Sequence, residues 1–161
     1  MLEVNAPIGN IFHDEEFDDL KNGNCEKLKI SRTELEKRIL RRTTDHGTDV
    51  GLNLDQGVKL HHGDVIKNGD TNIVIEQTPE KTIIVKVKPE INPEVLVLLG
   101  HIIGNRHRPI SFQKEEIIFP IQEDSEKEVF EKLFHSIINH IEITVSEQMF
   151  SPHSGADVHE H

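Results

Sequence analysis

Residues 82–109 read TIIVKVKPEINPEVLVLLGHIIGNRHRP. The first seven, Thr82–Lys88, are a β-branched strand closed by Pro89, which cannot continue a ladder. Asn92-Pro93-Glu94 then has the form of a helix start: an Asn N-cap, a proline at the first helical position and an acid in the first turn. Val95 to Ile103 is strongly apolar, and Gly104-Asn105 is the expected stop. Downstream, Pro109–Gln113 and Glu116–Pro120 fit two short strands around a Lys114-Glu115 turn. Ser125 to Asn139 fits a second amphipathic helix, with Val129, Leu133, Ile137 and Ile141 on one stripe. Ile141–Val145 alternates as a final strand. Strand, helix, strand, strand, helix, strand is the split βαβ, ferredoxin-like order.

Upstream the grammar differs. Lys27–Ile30 alternates polar and apolar residues. Thr33 to Arg42 fits a short helix and a strand equally well. Glycines at 47, 51, 57, 63 and 69 punctuate short apolar segments (Asp49–Leu54, Val58–Leu60, Val65-Ile66, Ile73–Gln77), which suggests strands joined by hairpins in a small β-sandwich or barrel. The expected organisation is a β-rich domain over 1–78, a ferredoxin-like domain over 79–146 and a flexible tail over 147–161, where few apolar side chains offset the ordering entropy.

The chain has 161 residues, of which 35% are apolar, so each core must be lean. Eighteen basic against 29 acidic residues give a net charge of −11, which disfavours nucleic acid and attracts cations. A single cysteine, Cys25, excludes an intrachain disulfide and fits a reducing cytoplasm. No apolar run approaches the ~18–20 residues of a membrane span, and the N-terminus lacks a secretory pattern. Walker A, GxSxG, HExxH and CxxC motifs are all missing from the sequence.

Histidine is the anomaly: there are eleven. His107 falls just past the expected helix stop, where packing no longer dictates side-chain identity. A cation serving the helix dipole would explain it too, but Arg106 and Arg108 already fill that role. His101, six residues earlier, is rotated roughly 240° away and cannot chelate with His107 within one chain. His153, His159 and His161 fall within the last nine residues, interspersed with Asp157 and Glu160. Imidazole suits nickel, copper, zinc and cobalt. His61 and His62 read as surface residues of a hairpin pointing to opposite faces. His135 and His140 read as solvated residues near a helix end, and His13 as a weak contributor within an acidic run.

Three blocks of this sequence resemble the UreE family of urease accessory proteins, the nickel metallochaperones. They are Arg41-Arg42 through Gly47, Gly51-Leu52, Gly57, Leu60 and Gly63-Asp64; Gly104-Asn105-Arg106-His107; and Phe150-x-Pro152 with Gly155-Ala156 before a His-containing end. The resemblance implies a homodimer formed through the ferredoxin-like domains. It implies one nickel ion, replaceable by zinc or copper, held between the two copies of His107 and completed or buffered by His153, His159 and His161. It further implies an N-terminal partner-binding module, and transfer of nickel to a urease-associated GTPase and the urease apoprotein. The tail lacks a long polyhistidine run, so one shared site is expected and not storage of many ions.

The expected function is therefore a cytoplasmic nickel chaperone and not an enzyme, with no nucleic-acid or membrane partner. The main alternative is an interaction module of the urease assembly complex whose metal binding is incidental. A hydrolase using a His-bound metal is disfavoured, because no carboxylate base lies beside His107. Arg106 and Arg108 are expected to face away from the metal and to contact acidic groups.

Overall fold

The computed structural model describes residues 1–90 and 92–156. The chain divides into two compact units, one of Met1–Thr78 and one from Pro79 onward.

In the first unit, β1 (Leu2–Val4), β2 (Gly9–Asn10), β3 (Glu26–Ile30), β4 (Ile39–Thr43), β5 (Asp49–Asn53), β6 (Asp64–Asn68) and β7 (Thr71–Gln77) form two open sheets, ordered β1-β5-β4 and β2-β6-β7-β3, and α1 (Arg32–Leu35) lies between β3 and β4 in the chain. Leu40, Val50 and Leu52 from the first sheet and Leu28, Ile30, Ile66, Ile73 and Ile75 from the second share one core. The intervening Val74 turns to the other face of its sheet, as strand alternation requires. There it meets Val65, Ile11 and Phe17, the last carried on a 3-10 helix, Glu15–Asn22. The four-stranded sheet is thus covered on both faces.

Hairpins account for β4–β5 and β6–β7, where Gly47 and Gly69 adopt φ of 91° and 60°. The expectation of hairpins throughout is corrected by two parallel pairings, β1 with β5 and β3 with β7. Val58–Leu60 forms no strand. The ambiguous segment after Ser31 is helix and strand in succession: Ser31 and Glu34 close a capping box over a single turn, and β4 follows.

The second unit contains β8 (Glu80–Val87), α2 (Pro93–Asn105), β9 (Ser111–Gln113), β10 (Glu116–Pro120), α3 (Glu126–Leu133) and β11 (Ile141–Gln148). Its sheet is antiparallel with order β11-β8-β10-β9, the ferredoxin-like topology. Ile83, Val85 and Val87 of β8 point to the helix-covered face and share a core with Val95, Leu99 and Ile103 of α2, spaced one turn apart, and with Phe119, Phe130 and Phe134. The expected second helix is shorter than its pattern: it tightens after Leu133 into a 3-10 segment, His135–His140, that places Ile137 in the core.

The flexible tail expected from residue 147 is corrected for residues 147–156. β11 continues to Gln148, and Phe150 is 2% exposed. The Thr82 hydroxyl, itself fully buried, donates to the Ser146 carbonyl at 2.8 Å and accepts from the Gln148 side chain at 3.1 Å. The segment then crosses to the opposite edge of the sheet, where the His153 N–H donates to the Ile110 carbonyl at 2.8 Å. One buried phenylalanine outweighs a composition that otherwise reads as unstructured. His159 and His161 lie outside the described residues. Phe150→Ala is expected to lower the unfolding free energy by about 3 kcal/mol, measured by urea denaturation; a loss below about 1 kcal/mol would show that this ring does not anchor the segment.

Candidate metal site at the end of a helix

α2 begins where the sequence places it. The Asn92 side chain accepts from the Glu94 N–H at 3.0 Å, and Pro93 occupies the first turn. Its end is different. Gly100 and Gly104 are helical residues with ordinary φ, and the left-handed residue that terminates the helix is His107, with φ of 54°. The Arg106 N–H donates to the Ile103 carbonyl and the His107 N–H to the Gly104 carbonyl, at 3.1 and 3.0 Å. His107 is exposed. Its imidazole therefore stands at the C-terminal, partly negative end of a 13-residue helix, where a cation is favoured.

The residue after it is tied down. Arg108 pairs with Glu126 at the start of α3, and its second guanidinium nitrogen donates to the Pro120 carbonyl at 3.3 Å. Glu126 also accepts from the N–H groups of Gln122 and Glu123. Burial works against ionisation of this carboxyl, but those two N–H groups and the Arg108 charge outweigh it and hold the group below the usual Glu range. Arg108 thus turns to an acidic group of its own unit, as expected; Arg106 is exposed.

The other candidate ligands are placed unequally. His153 comes near the His107 loop through its backbone bond to Ile110, and its ring packs edge-on to Phe112 at 5.4 Å. Its Nδ1 accepts from the Gly155 N–H at 3.0 Å, so the neutral ring carries its proton on Nε2. In this conformation neither nitrogen offers a free lone pair. His101 is exposed and lies 3.2 Å from the Asn105 side chain. No group of three or more His, Cys, Asp or Glu side chains converges among the described residues.

The first unit's histidine pair has a structural part that sequence spacing did not reveal. His62 is half-buried, not a surface residue: its Nδ1 accepts from the Gln77 N–H at 3.0 Å, and its ring stacks on Phe12 at 5.5 Å. His61 is exposed, and its N–H donates to the buried Asp64 carboxylate, which also accepts from Asn10. Cys25 is half-buried, and burial pushes its thiol pKa up, away from the metal-binding thiolate. No helix among the described residues is long and apolar enough to cross a membrane.

The fold and site define a two-unit class of protein: a β unit followed by a ferredoxin-like unit that presents an exposed histidine at a helix terminus. Residues 4–77 match the UreE urease accessory protein N-terminal domain, and residues 82–161 match the C-terminal domain of the same family. Curated relatives named urease accessory protein UreE include that of Staphylococcus epidermidis, 34% identical over 116 residues, covering 72% of this chain and 73% of the relative. Those of Staphylococcus saprophyticus and Staphylococcus aureus strain Newman are 34% and 33% identical, covering 69% and 72% of this chain and 71% and 73% of theirs. The chain belongs to the UreE family of urease accessory proteins.

The left-handed backbone of His107 separates its fold role from its side-chain role. In the metal-free protein, His107→Gly is expected to be as stable as the parent or more stable by up to about 1 kcal/mol, with His107→Ala the less stable of the two variants. Calorimetric melting checks this order; a destabilised glycine variant would mean that the imidazole packs against the fold.

Proposed function

We propose that this protein is a nickel metallochaperone of urease maturation, binding one Ni2+ between the His107 imidazoles of two copies of the chain. The observation that carries the reading is an exposed histidine at the end of a helix whose outward face is also apolar. Val97 is 70% exposed, flanked by Leu96 at 44% and Leu98 at 42%. At 100° per residue, Val97, His101 and Gly104 share the side opposite Val95, Leu99 and Ile103. An apolar face of this kind suits a self-complementary contact between two copies, which buries it and brings the two helix ends together. Family membership supports the urease connection, and the charge of −11 supports cation capture.

The arrangement also suits release. Imidazole ligands hold nickel in an open geometry that keeps water positions, so they can be exchanged one at a time. His159 and His161 are the further ligands in this reading. His153 joins them once the Gly155 N–H lets go of its Nδ1. Zinc and copper compete for the same donors. The receiving partners are the urease-associated GTPase and the urease apoprotein, in the cytoplasm, and the protein itself performs no catalysis.

Calorimetric titration of Ni2+ into wild type and His107→Gly, with light scattering on both, tests the proposal. The expected result is about one tight ion per two chains, lost in the variant while the dimer remains. Unchanged tight binding would move the site away from His107 and favour an interaction module with incidental metal affinity.

A further inference from the structure

We infer that Arg108 and Glu126 are positioning residues for His107, a pair that fixes the helix-terminal loop so that the imidazole is presented to the metal from one backbone position. The inference rests on the reading of His107 as a nickel ligand.

His107 is exposed and left-handed, so packing does little to fix its ring. Its backbone is held on both sides instead. On the helix side, its N–H is bound to the Gly104 carbonyl. On the other side, the Arg108 side chain is only 22% exposed and reaches two separate points of the fold, the Glu126 carboxylate and the Pro120 carbonyl. The Glu126 side chain, 21% exposed, is itself held by two backbone N–H groups of the β10–α3 connection. The planar guanidinium can satisfy both acceptors at once. The loop between α2 and β9 is thereby braced against the start of α3, and the one residue between the two anchors is His107. A ligand shared between two chains must meet its counterpart within a fraction of an ångström. Loss of the brace therefore acts on metal affinity, in the way that residues behind metal ligands do.

The test is Ni2+ titration of the full-length chain carrying Arg108→Ala, Arg108→Lys, Glu126→Gln and the double Arg108→Ala/Glu126→Gln, with melting and light scattering on each. Arg108→Ala is expected to weaken nickel binding by about tenfold, with the protein folded and its oligomeric state unchanged. Arg108→Lys keeps the charge but not the planar fork, so it should recover only part of that loss. Glu126→Gln should weaken binding in the same direction, and the double variant should be no weaker than Arg108→Ala, because both act through one contact. Wild-type affinity in Arg108→Ala, or additive losses in the double variant, would overturn the inference while leaving His107 as ligand. If Arg108→Ala does not fold, Glu126→Gln decides, and wild-type affinity there overturns it. Wild-type affinity in His107→Gly would instead remove the ligand assignment on which the inference rests.

Discussion

The constraint on which the second unit depends is the single apolar seam formed by Val95, Leu99 and Ile103 of α2 in one core with Ile83, Val85 and Val87 of β8. Six aliphatic side chains at helical and strand spacing set the rotation of the helix over the sheet. That rotation turns Val97, His101 and Gly104 outward. The helix end, closed by the left-handed His107, is carried with it. The outward apolar face is not a flaw in the pattern. A helix that is apolar nearly all round is one with two surfaces to cover, and this unit covers one of them.

The same logic explains what the sequence showed and what it hid. Periodicity and punctuation are local signals. They placed β8, the start of α2 at Asn92-Pro93, the strand order and His107 as the residue after a helix. They mistook the device that ends the helix: Gly104 continues it, and a histidine takes the left-handed position that glycine usually fills. The remaining gaps are long-range. Arg108 and Glu126 lie 18 residues apart, and His62 and Gln77 lie 15 apart; nothing in their local sequence announces a contact. The segment after β11 was misjudged because composition averages over residues, whereas a single phenylalanine at position 150 is enough to fix a short strap over a sheet. In the first unit, alternation located the strands, but the parallel pairings of β1 with β5 and β3 with β7 depend on which distant segments share a core.

The chemistry of the site follows from incompleteness. A structural metal centre assembles four ligands within one fold and keeps its ion. Here the described residues bring no such set together, and the best-placed imidazole faces outward from a braced loop beside an apolar surface. In the proposed reading, a half-site of this kind would gain affinity by pairing with another, which would couple capture to association and let ligands leave one at a time. The single thiol is pushed toward its neutral form by burial.

Native mass spectrometry of the nickel-loaded full-length protein tests the central claim most directly, because it counts ions and chains in the same particle. A dimer carrying one tightly held nickel, with the His107→Gly dimer carrying none, is the predicted result. A monomer that retains its own nickel ion, or a dimer in which each chain holds one independently of His107, would contradict the shared site.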